Sequence, residues 1–420
     1  MQEQVVRPSS ADVVRPSSGD VVRLGTAYFV SGALNGVKFL LLPVALSAHE
    51  LDVIAIGVLM AVTFGQIFGE AVANHHVIAP GERGTRARRA TELSAAGLFG
   101  VAAAFPHTTA NVLAGGIDLS GSDEYALRLF ALAGLTWVAQ WAGAGRRQAA
   151  GDLRGLRSVV LAPNIALLVG LVLSGGDLKL LATSMLLISC VLVGRQWRAA
   201  PNARPVQPTR ARPAGAMVGL IFAGLASAAN LVVVRAVAAD LPAGSLGALY
   251  IVIGVSLLPV MATAGALASA SFPKWAVRRD TIRLSLVAKA SLLAAILGGL
   301  LLATVAVALD LGPVKDWIDP PVRTAMREAL PWLGAGIPLG AEAWLIRAWL
   351  LATGQSWAYV VSAFAGSTFV LIIPGSEPSV ATVAAGYSAS AIPVLLTGLA
   401  LRLRRERRRT MPPAEESTEE

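Results

Sequence analysis

The chain has 420 residues, of which 55% are hydrophobic and 15% charged, and its mean hydropathy is +0.63. A soluble domain carries about a quarter charged residues, so this composition excludes an ordinary soluble fold and points to a membrane. The formal net charge of +9 does not imply nucleic acid, because the arginines and lysines are dispersed over short loops instead of gathered on one face; no nucleic-acid partner is expected.

A helix needs about 20 apolar residues to cross a hydrocarbon core roughly 30 Å thick. In chain order, windows of that size predict spans over Gly25–Leu46, Val53–Val72, Ala90–Leu113, Tyr125–Ala144, Val159–Leu173 and Leu178–Val193. Six more follow over Ala214–Ala238, Leu246–Ser271, Leu286–Leu309, Ala325–Leu351, Tyr359–Ile373 and Val380–Leu401. Basic residues cluster before the first span (Arg7, Arg15, Arg23) and after the second (Arg83, Arg86, Arg88, Arg89), fourth (Arg146, Arg147, Arg154, Arg157), sixth, eighth and twelfth. The intervening gaps are mostly short and acidic or neutral. By the positive-inside rule the basic gaps and both termini face the cytoplasm. The fold class expected is therefore an all-α polytopic membrane protein of about twelve transmembrane helices, in the cytoplasmic membrane of a bacterium.

The first residues hold an octapeptide repeat, Val5-Val6-Arg7-Pro8-Ser9-Ser10-Ala11-Asp12 and then Val13-Val14-Arg15-Pro16-Ser17-Ser18-Gly19-Asp20, too polar to bury a core; residues 1–24 are expected as a disordered tail. A Pro- and Arg-rich linker, 194–213, separates an N-terminal six-helix lobe (25–193) from a C-terminal one (214–401), and a charged tail occupies 402–420. The halves look related. Asn35 and Asn230 hold similar places in spans one and seven, and Gln148 to Leu153 lines up with Leu351 to Ser356. Six spans per half is an even number, so the repeats would share one orientation, related by an axis along the membrane normal, with a cavity between them. The arginines of 402–409 suit anionic lipid head groups, so membrane lipids are expected partners.

Ionisable groups at bilayer depth cost at least ~2.5 to 3.5 kcal/mol on insertion scales and so need a reason. Span one carries Ser31, Asn35 and Lys38 on one stripe, and span two carries Thr63, Gln66, Glu70 and Asn74 on another. Span four adds Thr136 and Gln140, and span ten adds Glu342 with Arg347 nearer its cytoplasmic end. Two readings of Lys38 have equal weight: a cationic site for an anionic head group, or a structural ion pair with Glu70 or Glu342. Snorkelling to an interface is a third. Arg128, Arg235 and most tryptophans read as interface anchors or packing. The lone Cys190 reads as a small buried apolar residue.

Catalytic and cofactor chemistry has no sequence signal. There is no GxxxxGK[ST] loop for nucleotide phosphates, His75 and His76 are adjacent instead of a turn apart, and no metal, cofactor or enzymatic activity is expected.

The stretch Asp240-Leu241-Pro242-Ala243-Gly244-Ser245-Leu246-Gly247-Ala248-Leu249-Tyr250, continuing through Leu258-Pro259 to Ala268-Ser269-Ala270-Ser271-Phe272-Pro273, resembles the seventh-to-eighth helix region of bacterial lipid-linked sugar flippases. Phe68-Gly69-Glu70-Ala71 and Ala162-Pro163-Asn164 are weaker echoes. The layout as a whole is similar to the multidrug/oligosaccharidyl-lipid/polysaccharide flippase superfamily. In its lipid II flippases, arginines of the first, second and eighth helices are thought to meet the pyrophosphate. Here Lys38 falls near one such position, while Gly32, Gly65 and Ile253 replace the others. The resemblance implies translocation of a lipid-linked saccharide by alternating access; Lys38 and the other intramembrane polar residues, Asn35, Ser31, Gln66, Glu70, Gln140, Asn230 and Glu342, are the expected substrate-binding set. Two rivals stand beside it. One is a Na⁺- or H⁺-coupled drug or metabolite antiporter using Glu70 or Glu342; the other is a non-transporting scaffold that recruits cell-envelope biosynthesis enzymes.

Overall fold

A computed structural model describes residues 18–45, 50, 53–54, 56–57, 59–78, 82–114, 119–150, 152–198, 213–238, 241–242, 245–278, 282–312, 318 and 320–410. Within these, the side chains of Asn35, Lys38, Thr63, Gln66 and Arg235 are outside the described set. So are the octapeptide repeat up to Ser17, the acidic end and most of the linker.

Among the described residues every regular element is helical. We number them α1 (Ser18–Ala45), α2 (Gly65–Ile78), α3 (Glu82–Ala104), α4 (Pro106–Ala114), α5 (Gly121–Ala149), α6 (Arg154–Ser174) and α7 (Leu178–Arg198). After the linker come α8 (Pro213–Ala238), α9 (Ser245–Val260), α10 (Ala266–Arg278), α11 (Leu284–Ala308), α12 (Pro320–Ala352), α13 (Ser356–Ile372), α14 (Val380–Ala389) and α15 (Ile392–Thr410). Proline accounts for several interruptions, since it lacks an N–H and crowds the preceding turn. Pro106 separates α3 from α4, Pro393 follows the α14–α15 break, and Pro259 precedes a π-helical segment, Met261–Gly265, that joins α9 to α10. A second π segment, Leu59–Phe64, leads into α2. Six of the described helices are long and apolar enough to cross a membrane, and Gly215–Asn230 and Ser356–Ile372 are shorter apolar helices.

Helix α1 begins at Ser18, before the expected span. Leu24 is fully buried in a small core with Leu153 and Leu156, and Asp20 lies 3.9 Å from Arg157. Those contacts extend the helix into what composition alone reads as tail. Cys190 likewise departs from expectation: it is exposed on α7 beside Val191 and near Leu187, on an apolar outer face that suits lipid.

The core falls into clusters that follow the two halves of the sequence. One is built wholly from residues between Val53 and Met185, and the largest draws most of its members from Met217 to Val394. Packing partners recur as well. Helix α1 lies on α6, and α8 lies on α13; α2 packs on α5, and α9 on α12. Ser31 on α1 accepts a hydrogen bond from Asn164 Nδ2 at 3.0 Å, and about two hundred residues later Ser227 on α8 shares one with the Tyr359 phenol at 2.7 Å.

The α2–α5 contact shows how small residues direct this packing. Gly65, Gly69 and Ala73 follow one another at intervals of four, and so do their opposites Trp137, Trp141 and Gly145. Notches of this kind let backbones approach where lipid removes the ordinary hydrophobic drive for association. A Cβ at Gly145 would collide with the backbone of Ala73, which cannot swing aside. Gly145→Val is expected to lower stability by about 1–3 kcal/mol or more, read as a drop in melting temperature and monodisperse yield in detergent, whereas Gly97→Val, where a Cβ meets open space, is expected to be tolerated.

Candidate functional site

The two halves meet near the end of the molecule that carries the arginine-rich segments. Helix α1 packs on α9 and α10, and α2 packs on α8, with Gly224 of α8 close against Ile67. At this junction Arg347 of α12 donates from a terminal guanidinium nitrogen to Glu70 Oε2 of α2 at 3.0 Å. The side chains are 9% and 20% exposed, so the pair sits in a medium where its attraction is screened far less than at a surface. The guanidinium also lies 4.7 Å from the ring centre of Trp344 and 5.7 Å from that of Tyr359, both favourable cation–π distances. Four elements thus converge on one charge: α2 supplies the carboxylate, α12 the arginine and Trp344, α13 the tyrosine, and α8 the Ser227 hydroxyl bonded to it.

A second bond crosses between the halves at the same end. Gln148 Nε2, near the end of α5, donates to the carbonyl of Ser269 on α10 at 2.7 Å. Gln148 is buried, and α5 and α12 occupy corresponding places in their halves. The junction is therefore tied from both sides.

The expected site residues separate into groups. Ser31 Oγ donates to the Val160 carbonyl at 2.8 Å while accepting from Asn164, so it fastens α1 to α6. Gln140 is fully buried, and its Nε2 donates to the Ser189 carbonyl of α7 at 3.4 Å. Asn230 has both ends of its amide engaged: Oδ1 accepts from Ser367 Oγ at 2.6 Å and Nδ2 donates to Ser390 Oγ at 3.2 Å. Glu70 is committed to Arg347. Glu342 is half-buried on α12, five residues before Arg347. The side chains of Lys38, Asn35 and Gln66 lie outside the described residues, so the structure does not bring them to this junction or away from it.

For Asn230 the geometry yields a test. Asn230→Ala is expected to cost about 1 kcal/mol of stability, and a cycle with Ser367→Ala should return a coupling of roughly 0.5–1.5 kcal/mol. Additive effects in thermal unfolding would show that the 2.6 Å bond contributes nothing to packing.

Sequence reasoning missed Arg347 as the partner of Glu70. The available signal was its depth: it lies five residues from the end of α12, eight being the corresponding figure for Glu70 in α2. A cavity of about 410 Å³ elsewhere, on α12 and α14, is lined by apolar residues including Trp332, Leu339, Ile373 and Ala385. None of the expected site residues lines it.

No protein-family model matches the sequence, and no curated protein sequence matches it significantly. Solved structures do match. A MATE crystal structure in complex with MaL6 is similar over 93% of this chain and 97% of its own, with a TM-score of 0.66 at 14% identity. The lipid II flippase MurJ in an inward closed conformation is similar over 90% and 87%, with a TM-score of 0.66 at 16% identity. A MATE family multidrug transporter of the MOP superfamily, outward-facing, gives 0.63 at 12% identity. The chain thus has the fold of MOP-superfamily membrane transporters, those for drugs and the flippase for lipid II alike.

Proposed function

We propose that this protein is a membrane flippase that moves a lipid-linked saccharide, a polysaccharide or cell-wall precursor, across the cytoplasmic membrane by alternating access. The observation that carries the mechanism is the Arg347–Glu70 pair, which joins the two halves at one end. A bond of that kind closes a central cavity when formed and opens it when broken, if two six-helix lobes of about twelve spans rock about an axis along the membrane normal. By the positive-inside reasoning, the closed end is the cytoplasmic one and both termini are cytoplasmic.

The cargo is argued from charge. A carrier of organic cations uses a carboxylate in its cavity; Glu70 is already neutralised by Arg347, which leaves Glu342 alone for that role. Span one offers Lys38 instead, a cation suited to phosphate. In this reading Lys38 attracts the pyrophosphate, Asn35, Gln66 and Glu342 meet sugar hydroxyls, and Ser31, Gln140 and Asn230 hold the helices that form the walls. Lipid tails remain in the bilayer between the lobes.

Glu342 favours a second reading, because a half-buried intramembrane carboxylate commonly marks an ion path; there the protein is an Na⁺- or H⁺-coupled antiporter. A scaffold for envelope enzymes is the third. Proteoliposomes separate them. Movement of a fluorescent undecaprenyl-pyrophosphate sugar supports the flippase, gradient-driven accumulation of a cationic dye supports the antiporter, and neither across several sugars and gradients leaves the scaffold.

A further inference from the structure

The last helix unites two features that the transport reading does not use. Helices α14 and α15, interrupted at Ser390 and Ala391, together form an apolar stretch Val380–Arg407 of 28 residues, which at about 1.5 Å per helical residue reaches beyond a hydrocarbon core of roughly 30 Å. Its final turns therefore emerge among the head groups. Along α15, Leu396, Leu399 and Leu403 form an exposed apolar stripe at helical spacing, and Arg404 and Arg407 are exposed beyond it. That sequence of surfaces, hydrocarbon first and then guanidinium, matches the passage from acyl chains to phosphate.

The opposite side of α15 rests on the closing helix. A Cβ at Gly398 would overlap Ile346 of α12, and the Arg405 guanidinium lies 5.0 Å from the ring centre of the fully buried Trp349. Ile346 and Trp349 flank Arg347 in the same helix. Arg402 Nε donates to Glu406 Oε1 at 2.8 Å, spanning the turn that carries Arg405. A displacement of α15 toward or away from the membrane surface therefore reaches the residues on either side of the Arg347–Glu70 bond.

We propose that the arginines of α15 are a docking surface for anionic phospholipid head groups, and that docking holds the arginine-rich end closed through the Arg405–Trp349 contact. The proposal rests on closure at that end, as argued above, but not on the nature of the cargo. An anionic surface attracts juxtamembrane arginines within about a Debye length, so the effect should weaken with salt.

The test uses the full chain with Cys190→Ser and spin labels at Arg86→Cys and Arg283→Cys, both exposed positions on opposite halves. Distances are measured in phosphatidylcholine vesicles and in vesicles containing about one-third phosphatidylglycerol, and retained lipid is counted by native mass spectrometry. The closed population should rise at least about threefold with phosphatidylglycerol at low salt. Arg404→Ala/Arg407→Ala should lose both the retained lipid and the rise, while Arg405→Gln should retain lipid and lose the rise. Equal distributions in both vesicles, or a rise that survives Arg404→Ala/Arg407→Ala, would overturn the proposal. So would the same rise with inorganic phosphate added to neutral vesicles, which would indicate a free-anion site. A single, lipid-independent distance insensitive also to Arg347→Ala would instead count against closure itself.

Discussion

Replacing Arg347 by alanine is expected to open the arginine-rich end and suppress transport by at least tenfold while leaving the protein folded. The substitution removes a guanidinium held by one carboxylate and two rings and leaves Glu70 in a largely desolvated position without its partner. Breaking a buried pair in this way costs about 3–5 kcal/mol; the partial exposure of Glu70 puts the expected value at or below the lower end. Because each ~1.4 kcal/mol is a factor of ten, a closed state favoured by one or two kcal/mol would become the minor one. Glu70→Gln should act in the same direction more weakly, since an amide still accepts a hydrogen bond. The exchange Glu70→Arg/Arg347→Glu should recover part of the closed population in distance measurements between labels on the two halves. An unchanged distribution in Arg347→Ala would mean that the bond is incidental to closure.

Lys38 governs the second large effect. A cation that meets a pyrophosphate in a low-dielectric cavity makes a charge-assisted bond of about 1.5–3 kcal/mol net, so Lys38→Ala should lower the translocation rate by roughly ten- to a hundredfold. Lys38→Arg should retain much of it, because the charge and not the ammonium geometry is required. The pattern divides the flippase from its rivals. An antiporter acting through Glu342 should tolerate Lys38→Ala and fail with Glu342→Gln, and a scaffold should be indifferent to both.

The sequence displayed the fold through two strong regularities. Apolar runs of spanning length mark the helices, and arginines recur at alternate gaps, the pattern expected when charged loops cross a bilayer with difficulty. Both are properties of a chain read against a membrane, so they survive without knowledge of tertiary contacts. Asn35 and Asn230 and the residues following spans four and ten pointed to related halves, and among the described residues recurring helix pairs, α1 on α6 with α8 on α13 and α2 on α5 with α9 on α12, accord with that. Less legible were the pairings. Glu70 and Arg347 are 277 residues apart, and periodicity says that each faces inward without saying which partner it meets. Gln148 was visible only as part of a repeat, because its acceptor is the backbone carbonyl of Ser269, which has no side-chain signature. Asn230 read as a cavity residue since a polar group in a lipid-buried helix needs a partner; the partners are two serines of the same half. The tryptophans opposite Gly65 and Gly69 show the same ambiguity, as an aromatic stripe fits a glycine notch and a ligand cavity equally well.

A flippase of this kind moves a pyrophosphate-linked sugar past a cation in its first helix. The most direct test is translocation of a fluorescent undecaprenyl-pyrophosphate sugar in proteoliposomes, wild type against Lys38→Ala. Transfer by the wild type, slowed roughly ten- to a hundredfold in the variant, is the expected result, whereas transfer undiminished by Lys38→Ala, or none by wild-type protein under any ion gradient, would contradict it.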